Sequence, residues 1–544
     1  MTPAERASSA QRSTPETNRG HSGQGGGGGG RHAARVAAGI FLTRVLGYLR
    51  ERVFAYYFGN SSIAADAFRA ALRIPNALRN LLGEGTLSAS FIPVYAALLH
   101  KDNKAGARAV AGAVLGLLLL ATGVLALLGI GFAPAITTVI AKGFDAPRRE
   151  LTITLVRILF PMTGLMVVSA WCLGVLNTHR RFFLPYAAPA LWNVAGIVAM
   201  VGAAAWLANR GLSQAEQMHR LALALAWGTV AGAALQIAVQ LPACWRLLNG
   251  IPVSLQFRIP GVRDVIIAWL PLLVGAGVAQ LSGFIDTILG SYTGPGGVSA
   301  LGYAQLVQVL PISLFGVSVA AASLPELARD ATEAAAHGQL RSRIAIAFRR
   351  ITFFILPSSF AFAALGPVIV SGLFQTGRFD VNDTAVVGGV LSAYGVGLLG
   401  QATVKLFASG FYALRDTRTP VKIAAFSLAL STGLALLLMP RFGTAGIALG
   451  SSLGSTVNVV LHLKDLDARI GAILGVAEWR AVGVSLLGSA VAALAGVGAE
   501  HVGASAGPVP RALLVVATFG VTYAGLVLAL KHPDAARLWS RRSR

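Results

Sequence analysis

The sequence predicts an all-α polytopic membrane protein of about fourteen transmembrane helices, arranged as two pseudo-symmetric six-helix lobes plus two C-terminal helices. Three observations predict it. Apolar runs of about 20 residues or more recur along the chain, which is the length a helix needs to cross a bilayer, whereas a barrel would show short alternating strands. Of 544 residues, 55% are hydrophobic and only 12% are charged, about half the charged share of a soluble protein. The basic residues gather in short loops between the apolar runs, as orientation signals do.

Hydropathy and helix breakers place the spans at about 34–58, 63–99, 108–140, 150–176, 183–208, 218–245, 263–292, 298–328, 345–374, 384–413, 420–439, 443–463, 481–499 and 510–530. An even number returns the chain to its starting side. The organisation expected is a disordered Gly-rich cytoplasmic tail over 1–33, an N-terminal lobe over 34–245 and a cytoplasmic linker over 246–262. A C-terminal lobe follows over 263–463, then two extra helices over 464–531 and a basic cytoplasmic tail over 532–544. Residues 1–33 carry no apolar signal core, so no cleavable leader is expected there. Clusters such as Lys101/Lys104/Arg108, Arg180/Arg181 and Arg415/Arg418/Lys422 then fall on one side, and the positive-inside rule makes that side, with both termini, cytoplasmic. Lys142, Arg148 and Arg149 are the exception.

The two lobes rest on an internal repeat spaced at about 235 residues. SASFIPVYAALLH around Pro93 has a counterpart in AAASLPELARDAT around Pro325, and GVLNTHRRFFLPYAAP from Gly174 matches GFYALRDTRTPVKIAA from Gly410 in layout. The last two spans lie outside this duplication. A transporter built from such repeats places its substrate at their interface and works by rocking one repeat against the other.

The first two spans carry the charge that matters. Arg44, Arg50, Glu51, Arg52, Asp66, Arg69, Arg73, Arg79 and Glu84 all fall between Thr43 and Pro93, in sequence otherwise fit to span. A charge at the centre of a spanning helix costs roughly 2.5 to 3.5 kcal/mol, so such residues face a bundle interior or a wet cavity. At about 100° per residue, Arg44 and Glu51 share a face with Gly47, and Arg50 lies roughly 120° round from Arg44. Asp66, Arg69 and Arg73 follow one another on the second span, and Pro75 is expected to bend it before Arg79. Two basic faces then meet across one cavity. The fixed donor fork of a guanidinium suits phosphate oxygens, which makes an anionic, phosphate-bearing ligand the natural one. Arg52, near the outer end, is expected to snorkel to the headgroups.

Other features bear on what is excluded. Cys172 and Cys244 show no metal or redox spacing and read as small packing residues. The histidines form no metal-spaced cluster, and no Ser/His/Asp, HExxH or phosphate-loop motif is present, so an enzyme is not expected. A net charge of +23 scattered among loops is no nucleic-acid footprint. The charged connection Glu326 to Arg350 reads as an amphipathic helix on the cytoplasmic membrane surface, held by anionic lipid. Asp286, Arg157 and Lys405, placed within spans, are candidates for ion coupling or structural anchoring.

The stretches TRVLGYLRERVFAYYFG, AADAF, RIPNALRNLLGEGTLSASFIPVYA and GFYALRDTRTPVKIA resemble the MurJ (MviN) family of lipid II flippases, within the multidrug, oligosaccharidyl-lipid and polysaccharide exporter superfamily. The resemblance runs from Ala34 to about Lys531. It implies export of the undecaprenyl-pyrophosphate-linked peptidoglycan precursor, lipid II, from the inner to the outer leaflet of the bacterial cytoplasmic membrane. It places substrate-binding residues at Arg44, Arg50, Asp66, Arg73 and Arg79, and gating or ion-coupling residues at Glu51 and Asp286. No cofactor is implied; coupling to sodium, protons or the membrane potential is, and cell-wall synthesis or division machinery is an implied partner. The chain departs from the family pattern at Leu306 in YAQLVQVLP, where the family carries an arginine, and at Ser431 and Ala435, where sodium ligands would stand. Alternative readings are an exporter of another polyprenyl-linked oligosaccharide or small molecule, and a divergent non-transporting membrane scaffold.

Overall fold

The computed structural model describes residues 26–535 except 84, 252 and 318–333. Every regular element among them is a helix: α1 Gly26–Phe58, α2 Ile63–Leu82, α3 Thr86–His100, α4 Lys104–Gly131, α5 Ala133–Ile140, α6 Ala146–Thr178, α7 Phe183–Ala187, α8 Pro189–Leu207, α9 Gln214–Leu248, α10 Pro260–Ser291 and α11 Gly297–Pro311. A π-helical turn over Ile312–Val317 ends α11. Then come α12 Ala334–Phe374, α13 Val381–Ala413, α14 Arg418–Ile470, α15 Val476–Val502 and α16 Pro508–Ala529. Eleven helical segments among the described residues are long and apolar enough to cross a membrane. The chain is a multi-pass membrane protein, and the expected fourteen spans are compatible with this architecture.

The departures have local causes. Helix α1 starts at Gly26, ahead of the expected boundary at 34, because extending a formed helix through glycine costs only about 1 kcal/mol per residue relative to alanine. Pro75 is carried inside α2, and the interruption of the second span falls instead at Gly83–Gly85. Gly85 has φ +85° there, a conformation that side chains with a Cβ seldom adopt. Helix α14 covers two expected spans in one 53-residue element, broken into limbs at Gly443 with φ 56°. Arg329, Asp330 and Glu333 of the expected surface helix, like Pro325 and Glu84, lie outside the described residues; Arg341 to Arg350 belong to α12, which continues unbroken into the ninth span.

Helices α1, α2, α4, α6, α8 and α9 pack on one another, as do α12, α13 and α14, while α15 and α16 pair and lean on α12. The α13–α14 seam is lined by small residues: a Cβ added to Gly397 would lie 2.3 Å from Ser452 Cα. Close backbone approach of this kind drives helix association where lipid removes the hydrophobic force between helices. The outer faces carry large apolar side chains such as Leu127, Leu437 and Val521, at home against acyl chains. An aromatic cluster joins the two halves of the chain, with Tyr303 of α11 against Phe54 of α1 at 6.2 Å and Phe374 of α12 at 5.0 Å.

Candidate functional site

Helix α1 is fixed to α7 and α8 by polar contacts: Thr43 Oγ1 donates to the Tyr186 carbonyl at 3.0 Å, and Asn193 donates to the Thr43 carbonyl at 3.3 Å. Gly196 of α8 leaves room for the stem of Arg50, whose guanidinium stacks over Trp192 at 4.2 Å. Glu51 then takes Arg50 on one carboxylate oxygen at 2.6 Å and Arg69 on the other at 2.8 Å. This triad lines a small recess whose empty space, mouth included, is about 320 Å3, bordered by Phe54, Phe68, Leu72, Met200 and Leu225.

A second cavity opens beside it between α2, α10 and α11. Its empty space, mouth included, is about 660 Å3, and its polar lining is Arg69, Arg73, Asn76, Asp286, Thr287 and Gln305. Arg69 and Leu72 line both cavities. Arg73 packs against α10 where Gly283 has no side chain and lies 6.0 Å from the Phe284 ring. Asp286 accepts from Gln305 Nε2 and from Ser451 Oγ, each at 3.3 Å, and Gln305 Nε2 also reaches the Tyr394 hydroxyl at 3.1 Å. Guanidinium forks, amides and hydroxyls facing a recess between two halves of a membrane protein suit an anionic, hydroxyl-rich head group.

Beyond the cavities, on the side of the 59–62 turn, the two halves are clasped shut. Asp383 in the first turn of α13 accepts from the Asn60 backbone N–H and the Ser61 hydroxyl, both at 2.7 Å. Asp66 in the first turn of α2 accepts from the backbone N–H of Gly296 at 2.7 Å and of Ser299 at 2.9 Å, at the start of α11. Carboxylates are favoured at such a helix N-terminus because its N–H groups are otherwise unpaired. Tyr303 donates to the Gly59 carbonyl at 3.1 Å, and the Arg378 N–H donates to the Tyr56 carbonyl at 2.9 Å. Arg52 joins this seal: it donates to the carbonyls of Gly372 and Leu373 at the end of α12, where it was expected to reach headgroups.

The structure therefore brings together Arg50, Glu51, Arg73 and Asp286 at the cavities. Asp66 is fully buried in the clasp, Arg44 is exposed on α1, and Arg79 lines neither cavity. Arg157 and Lys405 point outward. Arg148, an exception to the loop-charge pattern, is buried and paired with Asp145 at 2.7 Å and Asp66 at 3.4 Å, so its charge is neutralised inside the protein. The hydrogen bond from Arg148 holds the Asp145 carboxyl below its ordinary range. Asp383 carries no signal in the sequence; Arg69, at the junction of both cavities, stands on the charged face of the second span at i, i+3 from Asp66, where no binding role is assigned to it.

Residues 54–514 match the family model for the lipid II flippase MurJ. The chain belongs to the lipid II flippase MurJ family. The lipid II flippase MurJ of Burkholderia cenocepacia is 33% identical over 502 residues, 89% of this chain and 94% of that protein. A probable lipid II flippase MurJ of Rhizobium meliloti is 32% identical over 446 residues, 80% of this chain and 79% of its own length. Among solved structures, lipid II flippase MurJ in an inward closed conformation shares the fold with a TM-score of 0.72 at 21% identity, over 91% of this chain and 99% of that one. An inward-facing multidrug resistance MATE transporter of the MOP superfamily does so at 0.62 and 18%, over 81% and 98%.

At the positions where this chain leaves the MurJ pattern, the local structure is specific. Leu306 packs with the apolar core, and Gln305 beside it faces the cavity. Ser431 spends its hydroxyl on the Leu428 carbonyl of its own helix, and Ala435 is buried. Around Asp286 stand the Ser451 hydroxyl, the Gln305 amide with the Tyr394 hydroxyl behind it, and Thr287, and the Arg73 guanidinium shares the cavity.

Proposed function

We propose that this chain is a lipid II flippase of the bacterial cytoplasmic membrane, carrying the undecaprenyl-pyrophosphate-linked precursor from the inner to the outer leaflet by alternating access. It acts as a transporter rather than a catalyst, with both termini cytoplasmic. The observation that carries the reading is the meeting of Arg50, Arg69 and Arg73 at two adjoining cavities, one inside the N-terminal half of the chain and one between its halves. Guanidinium groups desolvated in this way cost free energy unless an anion completes them, and a pyrophosphate head supplies one while the polyprenyl tail stays in lipid. The 33% identity to the Burkholderia cenocepacia flippase over nearly its whole length supports lipid II as that cargo.

The polar clasp around Asp66 and Asp383 closes the exit while cargo loads from the other side; opening the clasp and closing the inner mouth delivers it. The Arg73 guanidinium that shares the cavity with Asp286 favours protons or the membrane potential over sodium as the driving force. Cell-wall synthesis and division proteins, which use the delivered precursor, are the partners this function implies. The test is a translocation assay in liposomes holding lipid II: the wild-type chain moves it, and Arg50→Ala inserts normally but does not. Wild-type transport by Arg50→Ala would refute the assignment.

A further inference from the structure

Arg69 is the one cation that lines both cavities, and, like Arg73, it touches the opposite half of the chain. Its guanidinium lies 4.1 Å from the Tyr303 ring centroid and 5.0 Å from that of Phe54. A Cβ on Gly302 would come within 2.8 Å of its Cδ and Nη1, so the absence of a side chain at 302 is what lets the guanidinium lie against α11. No cation from α10 or α11 lines either cavity. Whatever positive charge the far wall presents to a ligand is therefore lent to it from α2, by Arg69 at α11 and by Arg73 at α10.

The partner of that charge is equally specific. Both oxygens of Glu51 are taken, one by Arg50 and one by Arg69, and the Arg69 Nε is buried without a partner. Two forks converging on one carboxylate, with a donor to spare, present the geometry that a phosphate group, with more acceptor oxygens, satisfies better. Without an anion, two guanidinium groups held together in low dielectric would repel strongly. Glu51 removes that repulsion.

We infer that Arg69 is a phosphate-binding residue of the transport site, and that Glu51 is a built-in place-holder which the phosphate displaces from Arg69 and Arg50. The inference rests on the flippase reading above and adds to it a residue and an order of events. Loading exchanges one anion for another, so the arginines are never left bare. Removing the charge of Glu51 while keeping its shape therefore strengthens binding, whereas removing Arg69 weakens it.

The experiment measures equilibrium binding of undecaprenyl pyrophosphate to the purified full chain, with undecaprenol as the uncharged control. It compares wild type, Glu51→Gln, Arg69→Lys and Arg69→Leu, each checked for its thermal unfolding midpoint. Expected are binding by wild type, about tenfold tighter binding by Glu51→Gln, about tenfold weaker binding by Arg69→Leu and an intermediate value for Arg69→Lys. If Glu51 and Arg69 form only a structural ion pair, Glu51→Gln lowers the midpoint and leaves affinity unchanged or weaker, which overturns the inference while the flippase reading stands. If wild type binds pyrophosphate lipid no better than undecaprenol, both fall. Should Arg69→Leu fail to fold, the direction of the Glu51→Gln change alone decides the matter.

Discussion

Asp66 and Asp383 are reciprocal. Each stands in the first turn of its own helix, α2 or α13, and each accepts hydrogen bonds from the turn or helix start of the opposite half of the chain. The pair closes one end of the interface with four hydrogen bonds to carboxylate acceptors. Bonds of that kind contribute about 1.5 to 3 kcal/mol each.

Weakening the clasp shifts the molecule toward the state open on that side. Asp383→Asn and Asp66→Asn each lose charge assistance on two bonds, and a change of about 1.4 kcal/mol is tenfold in a population. The readout is labelling at Leu72→Cys, which lines both cavities, by a membrane-impermeant maleimide added outside, with Cys172 and Cys244 replaced by alanine. About tenfold faster labelling is expected in either variant; an unchanged rate would show that the clasp does not hold the exit shut.

Arg148 and Asp66 form a buried ion pair inside that clasp. Taking away one partner of a buried pair leaves an uncompensated charge and costs about 3 to 5 kcal/mol, although the two backbone donors to Asp66 reduce the penalty here. Arg148→Gln should lower the thermal midpoint in detergent by several degrees. Adding Asp66→Asn to it should cost less than the sum of the single changes, because neighbours that share one interaction are not additive. Strict additivity would mean that the two charges do not interact.

The α13–α14 seam offers a test of packing with its own control. Gly397→Ala places a methyl 2.3 Å from Ser452 Cα, whereas a Cβ at Gly389 on the same helix meets nothing within 4 Å. Overpacking costs about 1 to 3 kcal/mol, and an unhindered helical glycine-to-alanine change gains up to about 1 kcal/mol. Midpoints measured in the same detergent should fall for Gly397→Ala and hold or rise for Gly389→Ala.

These sites show what the chain discloses by itself. Long apolar runs and their breakers located the helices, because a backbone in lipid must satisfy its own hydrogen bonds and has few alternatives. The charged face of α1 and α2 pointed to Arg50, Glu51 and Arg73 for the same reason of cost. Asp66 was harder to read: its partners are backbone groups of Gly296 and Ser299, more than 200 residues away, and a backbone N–H leaves no trace in residue identity. Arg44, Arg50 and Arg79 look alike in sequence, yet of the three only Arg50 reaches either cavity, since which wall a helix turns to its neighbours depends on packing, of α1 against α7 and α8 and of α2 against α6. The interruption at Gly83–Gly85 and the position of Arg69 against Gly302 likewise depend on what approaches from elsewhere.

Arg50, Arg69 and Arg73 all grow from α1 and α2. On the proposed function, the cations that hold a negatively charged passenger therefore all belong to one side of the machine. The facing wall offers Asp286, Thr287 and Gln305 but no cation, so letting go requires only that one set of fingers open.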